Sequence, residues 1–328
     1  MEFSAERYQE MTYNRCGSSG LQLPVLSLGC WNNFDDKADP AAMLALLSRA
    51  FDLGITHFDL ANNYGPAPGA AETNVGHLLN DQFKAHRDEL IISTKAGYGM
   101  WPGPYGDGGS KKYLVASLDQ SLQRLGLDYV DIFYHHRPDP DTPMEESLDA
   151  LDLIVRQGKA LYAGVSNYKG QGTAAAHRHL ADRGLPLTVN QVSYNMLQRG
   201  IETDLLPYAQ ALGVGVVAFV PLAQGLLTNK YLGGIPTDSR AARPEGTLQS
   251  GRVTPEVIAR VEKLAAIAQR RGQSVAQLAL SWVLRDARIT TALIGASRPE
   301  QIDENVAALS QAPLDADELA AIDAVLQD

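Results

Sequence analysis

The strongest constraint on the fold is an alternation of short apolar segments with longer amphipathic ones along almost the whole chain. Eight apolar segments have the length and composition of strands, and each is followed by a segment with helical spacing. The predicted strands cover residues 23–29, 56–61, 90–96, 129–136, 160–166, 187–194, 214–222 and 290–297. The predicted helices cover residues 40–54, ending at Gly54, then 71–80, 111–126, 144–158, 171–183, 202–212, 254–271 and 299–310.

Repeated strand–helix units require parallel strands with helical crossovers, and eight of them in succession predict a (β/α)8 barrel. The alternative is a doubly wound sheet, which needs a glycine-rich phosphate turn after an early strand. The nearest match, "GVGVVA" at 213–218, lies inside a strand and opens no helix. Residues 13–24 resemble a small β-hairpin closing the barrel bottom. We therefore predict one domain, residues 1–328, with residues 1–12 as an N-terminal extension.

Composition excludes several classes of function. The net charge of −10 gives no basic surface for nucleic acid, although a local basic pocket for a phosphorylated ligand remains compatible with it. Two cysteines cannot form a disulfide framework or a cysteine-rich zinc site. The longest apolar run, 214–223, is far shorter than the roughly 20 residues of a membrane-spanning helix, and the N-terminus has no signal-peptide pattern. A cytoplasmic protein with no membrane contact is predicted.

Polar, titratable residues end three successive predicted strands. Asp59 ends the second strand and Tyr64 follows it, Lys95 ends the third, and His135 and His136 end the fourth. In a barrel the strand ends meet at one face, so these side chains can converge. Two long loops rich in glycine and proline, 97–110 and 232–251, also follow strand ends, where active sites of barrels lie.

Such a set suits proton transfer to a carbonyl group. Asp59 would keep Lys95 charged, the ammonium would lower the pKa of the Tyr64 phenol, and Tyr64 would give up a proton. A histidine would orient the substrate oxygen or share the acid role. Because the chain has no nucleophile elbow, a bound hydride donor is the natural partner for this chemistry.

Each of these residues also has a structural interpretation. Asp59 and Lys95 would make an ordinary ion pair, and Tyr64 would be a packing aromatic in a turn. Successive side chains of a strand face opposite ways, so only one of His135 and His136 can face the pocket. A metal site is not expected, because His57 starts the second predicted strand and the other histidines fall at helical or loop positions away from the predicted catalytic face.

The last predicted strand and helix suggest a phosphate site. Ser297 suits the N-cap position and Pro299 the first turn, and a helix N-terminus favours phosphate binding. Arg298 adds a permanently charged fork that matches a 2′-phosphate. This arrangement favours NADP(H) over NAD(H), and the alternative is a capped helix with a solvated arginine.

Seven segments together resemble one known family. They are "FDLANNYG", "STKAG", "DIFYHHRPD", "GVSNY", "NQVSYN", "PLAQGLLTNKYL" and "LIGASRPEQIDEN". The chain is identified as similar to the aldo-keto reductases over nearly its whole length. It most resembles their bacterial L-glyceraldehyde 3-phosphate reductase-like branch, which is akin to the voltage-gated potassium channel β-subunits.

The resemblance implies a catalytic tetrad of Asp59, Tyr64, Lys95 and His136, with NADPH or NADP+ across the barrel mouth. It implies that Ser166, Asn167 and Gln191 hold the carboxamide and that Phe219 or Tyr194 packs on the nicotinamide. Lys230, Arg240 and the "PLAQG" segment would hold the pyrophosphate. The full implied set of cofactor contacts is Gly29, Trp31, Ser166, Asn167, Gln191, Tyr194, Phe219, Val220, Pro221, Leu222, Ala223, Gln224, Gly225, Lys230, Arg240, Gly295, Ser297, Arg298, Gln301, Glu304 and Asn305.

The substrate pocket is predicted from Trp31, Met100 and Trp101 beside Tyr64 and His136. Aromatic walls with few charges suit small aldehydes, and the resemblance implies methylglyoxal, glyceraldehyde 3-phosphate and similar short aldehydes. An alternative function is a redox-sensing, NADP-binding regulatory subunit with slow turnover, as in the channel β-subunits. The resemblance also implies a homo-oligomer, a tetramer or larger.

Overall fold

Eight parallel strands close into a barrel in the computed structural model, which describes residues 3–237, 239–242 and 248–327, apart from the Arg240 side chain. An antiparallel hairpin of β1 (Tyr13–Arg15) and β2 (Gln22–Pro24) precedes the barrel. The barrel strands are β3 (Leu26–Gly29), β4 (His57–Asp59), β5 (Ile91–Ala96), β6 (Val130–His135), β7 (Ala160–Ser166), β8 (Leu187–Ser193), β9 (Gly215–Phe219) and β10 (Thr291–Ile294). β10 pairs with both β3 and β9, which completes the ring. The predicted (β/α)8 fold with an N-terminal hairpin is confirmed.

Ten α-helices are found in the described part of the chain, and most of them surround the barrel. They are α1 (Pro40–Asp52), α2 (Ala70–Asp81), α3 (Lys111–Leu125), α4 (Met144–Arg156), α5 (Gly170–Ala181), α6 (Leu206–Leu212), α7 (Pro255–Arg270), α8 (Val275–Leu284), α9 (Pro299–Val306) and α10 (Ala316–Gln327). Each of the first helices buries one apolar face, as Leu148, Leu151 and Ile154 of α4 do at helical spacing. Gly54 follows the end of α1 with φ 81°, in the left-handed region that glycine favours.

Two helices, α8 and α10, are absent from the predicted pattern. A single helix is predicted between the seventh and eighth strands, but α7 and α8 both lie there. α8 is apolar nearly all round and is buried beneath α7, so it lacks the one-sided pattern of the other helices. α10 follows the last strand–helix unit and packs on α7.

Several predicted bounds were too wide at the strand ends. The second strand is three residues long, and the eighth ends at Ile294 rather than at residue 297. Ser297 is not the N-cap of the following helix: Arg298 takes that position without a side-chain cap hydrogen bond. Ser297 instead donates from both its backbone nitrogen and its hydroxyl to Oε1 of Gln301. Pro299 is at the first helical position, as predicted.

The hairpin and the preceding segment pack on the bottom and side of the barrel. Cys16, Leu21 and Leu23 are buried against inward-facing barrel residues such as Ile132 and Val217. The ring of Phe3 contacts those of Phe51 and Phe83, with centroids 4.9 and 5.0 Å away. Because the barrel interior is filled from below, its open end is the face at the carboxyl ends of the strands.

Candidate active site

Strand alternation brings Asp59 and Lys95 together at the open end of the barrel. His57 and Asp59 are two residues apart on β4, and Ser93 and Lys95 are two apart on β5, so all four point into the barrel. Asp59 and Lys95 are fully buried, and Lys95 Nζ lies 2.5 Å from Oδ2 of Asp59. The sequence therefore places a completely desolvated ion pair beneath the mouth.

The three protons of the Lys95 ammonium are all committed. They are donated to Oδ2 of Asp59, to the Leu60 carbonyl at 2.6 Å and to the Tyr64 hydroxyl oxygen at 3.3 Å. Burial lowers the pKa of Lys95, and the Asp59 carboxylate opposes that effect. Because Tyr64 accepts a hydrogen bond from Lys95, its own proton is free to be donated elsewhere.

The expected fall in the pKa of Tyr64 is not found. Burial raises the pKa of Tyr64 well above the ordinary value of a phenol, and the negative charge of Asp59 adds to the rise. Desolvation of the phenolate outweighs the attraction of the ammonium. Tyr64 is thus a neutral phenol over the physiological range, in the form that can give a proton to an acceptor.

The two adjacent histidines face opposite sides of the barrel wall. The His136 ring lies near Tyr64 and Tyr98, with centroids 6.0 and 4.7 Å apart. Burial, then the Lys95 ammonium, lowers the pKa of His136 well below 6.5, so its imidazole is neutral. His135 turns towards the helices, where its Nδ1 lies 2.8 Å from the Tyr168 hydroxyl. The structure thus brings His136, and not His135, to Asp59, Tyr64 and Lys95.

The ends of β7 and β8 form a second polar group beside the first. The Ser166 hydroxyl donates to the Gln191 carbonyl at 2.8 Å, and Asn167 donates to the His136 carbonyl at 3.0 Å. Gln191 donates from Nε2 to Oδ1 of Asp59 at 3.0 Å. The predicted carboxamide-binding residues therefore lie next to the Asp59–Lys95 pair, with Gln191 bonded directly to it.

A cleft of about 180 Å³ opens on the other side of the mouth, after β9. Its lining residues are Trp31, Ser193, Asn195, Leu197, Gln198, Phe219, Val220, Ala223, Gln224 and Arg252. The cleft therefore contains Phe219, predicted to pack on the nicotinamide, and Ala223 and Gln224, from the segment predicted to hold the pyrophosphate.

The segment from Val220 to Gly225 has an unusual backbone. Val220, Ala223 and Gln224 have φ values of 51°, 48° and 59°, although none is glycine. A β-branched residue at positive φ is strained, and such strain concentrates at ligand sites. Gln224 also has a buried side-chain oxygen without a hydrogen-bond partner in the described structure. Both observations fit a segment that is shaped to hold a cofactor.

The end of β10 and the start of α9 carry the predicted adenosine site. Gly295, Ser297 and Arg298 are exposed, and the Arg298 guanidinium makes no hydrogen bond or ion pair to a described residue. The neighbouring predicted contacts are further along α9, where Asn305 is buried and Glu304 is exposed. The Glu304 carbonyl accepts a hydrogen bond from Gln277 of α8. An unpaired guanidinium therefore stands at the N-terminus of α9.

Aromatic residues flank Tyr64 on its solvent side. The ring of Trp31, which is 40% exposed, stacks on that of Tyr64 at 5.6 Å between centroids. Trp101 packs on Tyr113 of α3 at 5.2 Å, and its neighbour Met100 is half-buried against the same core. Trp31 is thus brought to the predicted acid directly, whereas Met100 and Trp101 lie in the loop after β5.

Other predicted cofactor residues lie differently. Tyr194 is fully buried in the helical layer, with its ring 5.3 Å from that of Trp282 and its hydroxyl donating to Glu202. It follows inward-facing Ser193 and so points away from the mouth. Lys230 is exposed in a short 3-10 helix, Asn229–Tyr231. The Arg240 side chain lies outside the described part of the chain.

Three residues with a place in the site were missed. Ser93 donates to Asp59, and His57 lies between Ser93 and Ser27 inside the barrel. The sequence indicates the position of His57, because residues two apart on a strand, such as His57 and Asp59, face the same side. Tyr98 packs on His136, and the Arg137 guanidinium lies over the Tyr98 ring at 4.5 Å.

No group of three or more histidine, cysteine, aspartate or glutamate side chains is arranged to hold a metal ion in the described part of the chain. No helix within the described ranges is long and apolar enough to cross a membrane.

Comparison with known proteins agrees with the geometry of the site. Residues 25–327 match the aldo/keto reductase family. The chain is 56% identical to L-glyceraldehyde 3-phosphate reductase of Escherichia coli K12, over 98% of this chain and 94% of that protein. It is 37% identical to a probable voltage-gated potassium channel subunit β of Arabidopsis thaliana, over 93% of each chain. A putative subunit β of Schizosaccharomyces pombe is 38% identical, over 89% of this chain and 86% of that protein. The chain belongs to the aldo/keto reductase family and is an oxidoreductase.

Proposed function

We propose that the protein reduces small aldehydes to alcohols with NADPH, and that Tyr64 is the general acid. The observation that carries this proposal is the hydrogen-bonded series Asp59–Lys95–Tyr64 at the barrel mouth. In that series Lys95 donates to Tyr64, so the phenol proton is directed away from the ion pair. An aldehyde oxygen placed against Tyr64 is the acceptor that this arrangement lacks.

Each residue of the proposed site has a separate role in the reduction. The chemistry that NADPH would supply when bound is a hydride for the carbonyl carbon. Tyr64 gives its proton to the carbonyl oxygen as negative charge develops there, and the Lys95 ammonium stabilises the phenolate that remains. His136, as a neutral imidazole beside Tyr64, donates a hydrogen bond to the carbonyl oxygen without adding charge, and so orients it. A proton from solvent restores Tyr64 after each turnover.

The cofactor is assigned to the mouth of the barrel, between two sets of residues. Ser166, Asn167 and Gln191 would hold the carboxamide, and Phe219 would pack on the nicotinamide ring. The strained segment Val220–Gly225 would hold the pyrophosphate with Lys230, and Arg298 would pair with the 2′-phosphate at the start of α9. Tyr194 has no place in this site, because it is buried against Trp282.

The substrate class follows from the walls near Tyr64. Trp31 stacks on Tyr64 and Tyr98 contacts His136, so aromatic rings line the space beside the reacting oxygen. Such a space suits short aldehydes of the methylglyoxal and glyceraldehyde 3-phosphate type, and the Escherichia coli relative is named for a member of that class. A cytoplasmic location and assembly as a homo-oligomer remain predictions.

The experiment is steady-state oxidation of NADPH and of NADH against a panel of short aldehydes that includes methylglyoxal and glyceraldehyde 3-phosphate. We expect many turnovers per protein chain, with NADPH preferred. A protein that retains NADP(H) through purification but turns over less than once per minute with every aldehyde would instead fit the redox-sensing alternative. A mass-spectrometric measurement of the retained nucleotide distinguishes that outcome from an inactive preparation.

A further inference from the structure

A continuous line of hydrogen bonds runs from the barrel interior to the Asp59 carboxylate. The Thr291 and Ser27 hydroxyl oxygens are 2.7 Å apart, and Ser27 Oγ lies 2.9 Å from Nδ1 of His57. Nε2 of His57 lies 2.9 Å from Ser93 Oγ, and Ser93 donates to Oδ1 of Asp59 at 2.7 Å. All five side chains are fully buried. We call these residues the interior chain.

The protons of the interior chain can be assigned by counting donors. Asp59 carries a carboxylate that only accepts, so the Ser93 hydroxyl proton is committed to it. Ser93 must then accept from Nε2–H of His57, which leaves Nδ1 of His57 as an acceptor. Ser27 therefore donates to Nδ1, and Thr291 donates to Ser27. Every bond runs in the same direction, towards Asp59.

We propose that His57 is a positioning residue, which acts through Ser93 to hold the Asp59 carboxylate charged and aimed at Lys95. This inference rests on the proposed function, because its kinetic effect is read through Tyr64. His57 itself touches neither Lys95 nor Tyr64, so it is not a member of the reacting group. Its neutral Nε2–H tautomer fixes which way the Ser93 hydroxyl points.

The physical effect follows from burial. A buried carboxylate needs several donors to remain charged, and Asp59 has three from side chains: Ser93 and Gln191 on Oδ1, and Lys95 on Oδ2. Hydrogen bonds aligned in one direction polarise each other, so the donation by Ser93 is stronger with His57 behind it. The other titratable groups that interact with Asp59 or Lys95 are Tyr64, His136, Cys30 after β3, Tyr134 of β6 and Glu72 of α2.

Three variants distinguish the loss of the directed hydrogen bonds from a change in packing. His57→Gln keeps a donor towards Ser93 and an acceptor towards Ser27, whereas His57→Leu removes both and keeps most of the volume. Ser93→Ala removes only the donor to Asp59 and changes the volume little. The readout is the pH profile of kcat for aldehyde reduction, measured well below the melting temperature, together with NADPH affinity.

We expect Ser93→Ala and His57→Leu to lower kcat by about 10-fold at neutral pH, the loss of one hydrogen bond to a charged group. In both variants the acid limb of the kcat profile should move to higher pH, because the negative charge that holds Lys95 loses a hydrogen-bond donor. His57→Gln should stay within about 3-fold of the unsubstituted enzyme, and NADPH affinity should change little in all three. Profiles that superimpose on that of the unsubstituted enzyme, with only a lower melting temperature, would overturn the proposal.

A spectroscopic measurement tests the interior chain without any turnover. Long-range ¹H–¹⁵N correlation of ¹⁵N-histidine-labelled protein reports which ring nitrogen of His57 is protonated, and the His57→Gln spectrum assigns the signal. We expect the neutral Nε2–H form. The Nδ1–H form would refute the direction of the chain even in an active enzyme. An inactive protein with the Nε2–H form would refute the proposed function while the direction of donation stands.

Discussion

At the level of single residues, the chemistry of the site depends on which acceptor receives each proton, and Lys95 shows this most clearly. With no free donor left on its ammonium, Lys95 determines that Tyr64 donates outward. The sequence indicated which residues meet, because Asp59, Lys95 and His136 end successive strands. It could not indicate the sign of the Tyr64 pKa shift, because the balance between burial and a nearby charge depends on atomic distances.

Successive side chains of a strand face opposite sides, and this rule explains which site residues were predicted correctly. His135, the last residue of β6, and His136, the residue after it, lie on opposite faces, as strand alternation predicts. The same rule applied to β4 and β8 would have turned His57 into the barrel beside Asp59. It would also have turned Tyr194 away from the mouth after Ser193. The predictions placed His57 at the start of its strand and Tyr194 on the nicotinamide without considering which face of the strand each side chain occupies.

Arg298 gives a prediction at this scale about the choice of cofactor. Its guanidinium has no partner in the described structure and stands at the N-terminus of α9. Arg298→Ala should weaken NADPH binding by about 10- to 100-fold, the loss of a charge-assisted hydrogen bond to phosphate, and NADH binding by less than about 3-fold. Fluorescence titration with each nucleotide measures both. Equal losses for NADPH and NADH would remove the 2′-phosphate role, and Arg156→Ala, on the outer face of α4, is the control.

At the scale of elements, regular strand–helix units were predictable and the additions to them were not. α8 begins with a signal that was overlooked: the hydroxyl of Ser274 accepts from the backbone of Gln277, whose side chain accepts from the backbone of Ser274. Its apolar residues surround the helix, so periodicity gave no amphipathic face to recognise. At α9 the opposite error occurred, because a cap was predicted that does not form. Serine is a residue type that often caps helices, but Ser297 bonds to Gln301, and Arg298 is the N-cap.

The capping box of α8 predicts a measurable loss of stability. Ser274→Ala should lower the free energy of unfolding by about 1 kcal/mol, because the N–H of Gln277 loses its acceptor. Ser274→Asp should retain most of the stability, since a carboxylate accepts the same bond and suits a helix N-terminus. Urea unfolding of the three proteins makes the comparison. If alanine and aspartate were equally destabilising, the side-chain cap would not stabilise α8.

At the scale of the whole molecule, the closed barrel buries three histidines in a neutral state. Burial lowers the pKa of His57 and of His135 to about 4, and that of His136 well below 6.5. In the unfolded chain each would titrate near 6.5, so between pH 6.5 and 4 the unfolded state binds more protons than the folded state. The free energy of unfolding must therefore fall as the pH falls through this window.

The predicted slope is up to about 1.4 kcal/mol per pH unit for each of these histidines. His135→Gln should reduce the slope by up to about 1.4 kcal/mol per pH unit, because one buried neutral histidine is removed. Carboxylates whose pKa is lowered in the folded state affect stability in a lower pH range. Glu89, with a pKa of about 2, stabilises the folded state at neutral pH and loses that stabilisation only as the pH falls below about 4.5. Urea unfolding from pH 4.5 to 7 measures the slope. A flat curve would show that the histidines are accessible to protons in the folded protein.

The central claim is that Tyr64 protonates the substrate, and Tyr64→Phe tests it most directly. The ring and its contacts with Trp31 and Lys95 remain, and only the hydroxyl is removed. Aldehyde reduction and NADPH affinity are measured on the same preparation. We expect kcat to fall by about 10²- to 10⁴-fold, the usual contribution of a general acid, with the dissociation constant for NADPH changed by less than about 2-fold. A variant that still reduces aldehydes at a rate within a few-fold of the unsubstituted enzyme would contradict the account.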